Sequence, residues 1–365
     1  MCYWVLGKKA YSCSGANFTL CQHSSSAWRE SAAEVLPLDP YKGESFWPEG
    51  LGTLLQKGKV GMFEWGRFLR HRYGWFLSAT YKPSEVFVRT TRTDRHIMSA
   101  QLTLAGLYPP IGIQVWNPDI LWQPIPVHSL PKTCDDILRV TKRCDLLAKE
   151  EKQWKTLIQK QLDGHDELLA YLSKSTGLEV KTLEDISSIY NNLEVVEEQG
   201  LLMPQWAQNI DLDELKSFAK IESMQLFKTP IMMKLQTGVL INEIVSNMMR
   251  KVERSENFSR LLSLYSASDR ILTRLWRGLN ITREISRQHY GAALIIELHK
   301  INDRYQVKIL HKTGSFDDEL SVLTIRGCED SSFSEPDEMC DLDTFSSVLQ
   351  PIMITDFDEA CQNPQ

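Results

Sequence analysis

Two rhythms of apolar and polar residues alternate along this chain. From about Leu54 to Phe76, Met62, Phe63, Phe68, Leu69, Tyr73 and Phe76 form a broad apolar stripe, which predicts a long amphipathic helix. It follows the Pro/Gly-punctuated segment 36–53. In "EVFVRTTRTDR" the pattern shifts to that of a strand over Glu85–Arg89, followed by a polar turn. A helix from about His96 to Leu107 comes next, stopped by Pro109-Pro110. Strand, polar turn and helix make one α/β step.

Further on, "IGIQVWNPDILWQPIPVHSLP" reads as extended and Pro-broken. The stretch from about Lys142 to Ser223 is charged and helical in period, with Trp154, Ile158 and Leu162, then Leu168, Leu169 and Leu172, and with Gly164, Gly177 and Gly200 between its segments. "TGVLINEIVSNMMRKVE" predicts another amphipathic helix, leading to a short buried strand at Leu261, Leu262, Leu264 and Tyr265 that turns polar at Ser266. "AALIIELHKINDRYQVKILHK" predicts a hairpin turning at Asn302-Asp303. The tail after Ser315 is acidic, Cys-containing and loop-like, and residues 1–35 are Ser- and Cys-rich and irregular. The predicted organisation is a divergent N-terminal segment (1–35), an α/β domain in two pieces (36–140 and 230–365) and a helical insertion (141–229).

Composition narrows the class. The chain has 365 residues, 42% hydrophobic and 24% charged, enough for a large core, and its net charge of −6 favours neither nucleic acid nor an anionic membrane surface. No apolar run is long enough to span a bilayer. The start, "MCYWVLGKKAYSCSG", lacks a convincing secretory signal, because two lysines interrupt a very short apolar run. Sequons at Asn17, Asn257 and Asn280 nevertheless point outside the cytosol. The eight cysteines include no C-x-x-C, which disfavours a zinc ribbon or a thioredoxin-type site. No metal or other cofactor is implied.

Candidate chemistry gathers where "LYSASD" leaves its strand, since strand ends in α/β proteins are where functional side chains sit. Asp269 has two readings there: a proton donor, or a cap on the helix that follows. Arg270 to Arg277 read as that helix's exposed basic face, and Arg89 and Arg92 as turn arginines, either solvated or on a pocket rim.

"DPYKGESFWPEGLGTL", "VRTTRTDRHIMSAQLTLAGLYPP", "WNPDILWQPIPVH", "TGVLINEI", "LYSASD" and the final "GC…C…F…PI" occur in the order found in the histidine acid phosphatase family, which this chain resembles from Leu36 to Cys361. The resemblance implies a histidine phosphatase fold: an α/β architecture with a mixed central sheet flanked by helices and a helical domain inserted in it. It also implies disulfides Cys144–Cys361 and Cys328–Cys340, with Cys2, Cys13, Cys21 and Cys134 unassigned. It further implies an extracellular or lysosomal setting, a phosphate monoester as ligand, and a possible homodimer.

Family members hydrolyse phosphate monoesters at acid pH through a phosphohistidine. Fixed guanidinium groups hold the charge spreading over the transferred phosphoryl group, and a carboxylic acid protonates the leaving alkoxide. Carried over, Arg95 matches the phosphate-binding arginine of the "TDR" turn and Asp269 the general acid, while Ser268 stands where a phosphate-binding histidine belongs. The nucleophile motif R-H-G-x-R-x-P is missing. A gapless register sets Ser26-Ala27-Trp28 over R-H-G and Glu30 over the second arginine. A second register reads "NFTLCQH" as the first strand, with His23 as nucleophile and Gln22 and Ser26 in place of the arginines. His23 equally reads as an incidental loop histidine. On either register the cradle keeps one arginine of three, and hydrolysis is expected to be strongly impaired. An active acid phosphatase, using His23 or a nucleophile segment missing from this chain, is the alternative.

Overall fold

The computed structural model describes residues 18–23, 36–43, 45–139, 144–225, 229–253, 258–285, 290–317, 319–328 and 339–362, with backbone alone for 18–23 and 224–225. The Ser26–Trp28 register, Asn17 and Asn257 lie outside the described residues.

The sheet runs β3-β2-β4-β1-β5-β6-β7, formed by β1 (Phe18–His23), β2 (Val86–Thr91), β3 (His128–Leu130), β4 (Leu262–Ala267), β5 (Ala293–Ile301), β6 (Arg304–Lys312) and β7 (Leu320–Leu323), with the short β8 (Cys340–Asp341) also on β6. β3, β2, β4 and β1 are parallel neighbours, and β5, β6 and β7 continue the sheet antiparallel from β1. Alternate side chains of β4 and β5 feed two cores. Leu262, Leu264, Ala293 and Ile295 pack under α1 (Gln56–Tyr73) and α2 (Asp94–Leu107). Tyr265, Ala267, Leu294 and Ile296 pack under α7 (Pro230–Val252) and α8 (Asp269–Gly278). Helices on both faces explain why β4 is buried along its whole length.

Helices α1 and α2 cross at a pair of glycines. A Cβ on Gly66 would lie 2.0 Å from the Thr103 carbonyl oxygen, and one on Gly106 would lie 2.1 Å from that of Phe63, so backbone packs directly on backbone. At the hairpin tip Asn302 (φ 50°) and Asp303 (φ 63°) both take the left-handed conformation that a tight two-residue turn requires. Between the two α/β segments lie α3 (Asp145–Gln159), α4 (Asp166–Thr176), α5 (Leu183–Glu198) and α6 (Leu212–Gln225). Leu172, Ile186, Ile189 and Leu215 share a hydrophobic cluster of their own there. Cys144 is bonded to Cys361 and Cys328 to Cys340, the pairs implied by the resemblance, while Cys134 is free and exposed.

Three expectations change. The tail is structured: β7 and β8 extend the sheet, α9 (Leu342–Leu349) packs on it through Leu342, Phe345 and Leu349, and α10 (Phe357–Gln362) packs through Phe357 beside Leu147, Met232 and Leu235 of α3 and α7. Strands of four and two residues are too short to show a period, and acidic residues separate the apolar positions. Within the irregular first 35 residues, Phe18–His23 is a strand, the one the second register reads there, because β4 supplies a parallel partner along all six positions. The Pro-broken segment contains a short 3₁₀ turn, Gly112–Gln114, and β3 on the sheet edge.

Candidate active site

Parallel strands carry their C-terminal ends to one edge of the sheet, and register fixes what meets there. His23 pairs with Ala267, and Ser266 pairs with both Gln22 and Thr90. His23 closes β1, Ser268 follows β4 directly, and the turn after Thr91 delivers Arg95 to the first turn of α2. His23, Arg95, Ser268 and Asp269 are thus brought to one edge.

Local hydrogen bonds fasten the connecting turns. The Ser266 hydroxyl donates to the His96 carbonyl oxygen (2.9 Å), tying β4 to α2, and the Thr91 hydroxyl meets His96 Nδ1. Beyond β3, the buried Asp135 carboxylate accepts from Arg89 Nη2 (2.8 Å) and the Leu138 amide (2.9 Å). Arg89 therefore anchors a loop and is not a solvated turn arginine; Arg92 is exposed. That loop carries Arg139, whose Nη2 donates to the Thr93 hydroxyl (3.2 Å) beside Arg95.

Ser268 is the N-cap residue of α8, without a side-chain cap bond, and Asp269 is its first helical residue. The cap reading of Asp269 therefore falls. Its carboxylate stands at the positive end of the helix dipole, where negative charge is favoured. The exposed basic face is also corrected, since Arg274 and Arg277 are partly buried and only Arg270 of the three is exposed. Burial pushes Arg274 down to about 10, with Arg270 and Arg139 adding repulsion and Glu151 and Asp269 opposing it. Arg139 is lowered by burial and by Arg95, against the pull of Asp135. These arginines feel one another's charge, and the carboxylates Asp135, Glu151, Glu222 and Asp269 are interleaved with them.

The inserted helices reach the same place. Glu222 of α6 pairs with Arg270 at 3.1 Å, and its own pKa is raised by burial despite that arginine. Glu151 of α3 accepts from Gln236 Nε2 at 2.8 Å. Arg139 and Arg274 were missed in the sequence. Arg274 follows Arg270 at one helical turn, a usable signal, but nothing in the sequence marks Arg139. Among the described residues no three His, Cys, Asp or Glu side chains are placed to hold a metal ion.

Fold and edge together define a class: a sheet protein whose parallel strand ends gather arginines beside a helix-terminal carboxylate, suited to phosphorylated anions. Solved structures of similar fold include the Hafnia alvei phytase in complex with tartrate (TM-score 0.67, 17% identity, covering 97% of this chain and 99% of that one). The phytase from Citrobacter braakii aligns with TM-score 0.66 at 16% identity, over 93% of this chain and 98% of that one. At these identities the likeness establishes the fold alone. The sequence profile of the Histidine phosphatase superfamily (branch 2) matches residues 21–312. Rat prostatic acid phosphatase is 33% identical over 336 residues, 90% of this chain and 84% of that protein. Lysosomal acid phosphatase of Xenopus laevis is 33% identical over 333 residues, 89% of this chain and 74% of that protein. The chain belongs to the histidine acid phosphatase family.

Proposed function

We propose that this protein binds phosphate monoesters at the sheet edge and hydrolyses them far more slowly than its family's chemistry permits. The observation that carries the reading is the serine beside Asp269. Ser268 offers one hydroxyl and no charge where the family places a histidine. The nucleophile motif is also missing, with Gln22 where the second register sets an arginine. In this reading Arg95, Arg139 and Arg274 hold the phosphate at the edge, and Asp269 donates the proton. Each charge-assisted bond removed from a transition state costs about 1.5–3 kcal/mol, and loss of a nucleophile costs several powers of ten in rate.

A second reading rests on one specific observation: β1 ends at His23 beside Ala267, and the family profile begins to match only two residues earlier, at Cys21. That position suits a nucleophilic histidine. The compartment belongs to the same proposal. The curated relatives are prostatic and lysosomal enzymes by name, and Asn280 of the described sequon is exposed, which fits a secreted or lysosomal glycoprotein.

The deciding experiment measures phosphate binding and p-nitrophenyl phosphate turnover at acid pH in the unaltered chain, Arg95→Ala, Ser268→His and His23→Asn. The proposal expects weak phosphate binding that Arg95→Ala abolishes and Ser268→His strengthens by roughly tenfold or more, with negligible turnover by the unaltered protein. Robust turnover that His23→Asn eliminates would overturn it in favour of the second reading.

A further inference from the structure

Helix α8 runs from the sheet edge to a separate cavity. Its first residue, Asp269, faces the sheet edge, and its last, Gly278, opens onto a cavity of about 840 Å³. Nine residue steps of helix separate the two by roughly 13 Å. The cavity lies in the range of small-molecule sites and is far larger than one phosphate ion needs. Met233, Trp276, Ile281, Leu349 and Ile352 contribute an apolar wall.

Its charged wall is one-sided. Among the described residues, Lys220, Arg277, Arg283 and Arg326 line it against a single carboxylate, Glu284. This local excess of three positive charges sits on a chain whose net charge is −6. Among the described residues none of the four cations forms an ion pair. Burial lowers the pKa of Arg277, and its Nε is buried without a hydrogen-bond partner among the described residues. A guanidinium nitrogen in that condition is costly until something accepts its hydrogen bond.

We propose that this cavity is a binding site for a small amphiphilic anion, its head group held by Arg277 and Arg326 and its apolar body laid against Trp276, Ile281 and Ile352. The apolar wall excludes a bare inorganic ion as the best occupant, and the arginines exclude a neutral one. The site is separate from the sheet edge and does not depend on any activity there.

Decyl sulfate tests the assignment, because a phosphatase cannot hydrolyse it as a phosphate ester. It is titrated calorimetrically, below its micelle concentration, into the full chain carrying Thr282→Ala, which removes the sequon without adding charge, since Asn280 also lines the cavity. The expected result is saturable binding at one site, weakened about tenfold by Arg277→Gln and by the exposed Arg326→Gln, and largely retained in Arg277→Lys. Arg95→Ala should leave it unchanged. Three results would overturn the assignment: affinity unaltered in both glutamine variants, equal affinity for neutral decyl maltoside, or loss of binding in Arg95→Ala.

Discussion

Glu297 gives the sharpest quantitative test of how this fold is held together. It is buried on β5 and receives three donors: the Tyr73 hydroxyl at 2.5 Å, Arg72 Nη2 at 2.9 Å and His299 Nε2 at 2.8 Å. Burial alone would raise its pKa. The donors reverse that effect, with His299 and Arg72 foremost, and hold the carboxyl at about 2 against an ordinary 4.5. A carboxylate with a depressed folded pKa stabilises fully above its unfolded value and loses that contribution as pH falls through the folded value. Here the window runs from about pH 4.5 down to about 2, and the difference corresponds to about 3 kcal/mol. Glu297→Gln keeps the shape and removes the charge. At pH 6.5 it should cost about 3 kcal/mol in urea-unfolding free energy, in keeping with the loss of one partner from a buried pair. Repeated at pH 3, the gap between variant and unaltered protein should narrow clearly. A cost below about 1 kcal/mol at pH 6.5, or a gap that does not narrow with acid, refutes the reasoning.

Two further outcomes follow from packing and covalent links. Gly66→Ala forces a methyl group onto the Thr103 carbonyl at the α1–α2 crossing, and should lower the thermal midpoint by several degrees or prevent folding, because overpacking costs about 1–3 kcal/mol even where neighbours relax. The two disulfides should contribute unequally, since they close segments with sequence separations of 217 and 12 residues. Chain-entropy reasoning assigns about 5 kcal/mol to Cys144–Cys361 and about 3 kcal/mol to Cys328–Cys340. Paired Cys→Ser variants compared by urea unfolding check that ranking, and equal losses would contradict it.

The elements legible in the sequence were those with enough length to show a period. α1, α2, the strand before Ser266 and the hairpin at Asn302-Asp303 all lie within a few residues of where the pattern sets them. The tail was not legible, because β7 and β8 are stabilised by pairing with β6 rather than by any rhythm of their own. At the candidate site, the strand end and the "TDR" turn pointed to Asp269 and Arg95. Arg139 could not be seen, since it comes to the sheet edge on a loop whose shape depends on Asp135 meeting Arg89, two residues 46 positions apart. Arg274 was read as part of an exposed face, and only the burial of α8 against the sheet and the inserted helices changes its electrostatics.

The central position of β1 has a consequence for how the chain is made. Its partner strand β4 lies about 240 residues further on, and β5 lies later still. At about 5–20 residues per second, a ribosome takes roughly 12–50 seconds to synthesise the strand that receives β1. Throughout that interval α1, β2 and α2 can assemble locally, while β2 keeps the edge destined for β4 unpaired. A nascent chain in this state exposes an open strand edge of the kind that invites foreign pairing. The middle of the sheet is therefore the part exposed longest during synthesis, and it closes only once β5 has been made, well into the last third of the protein.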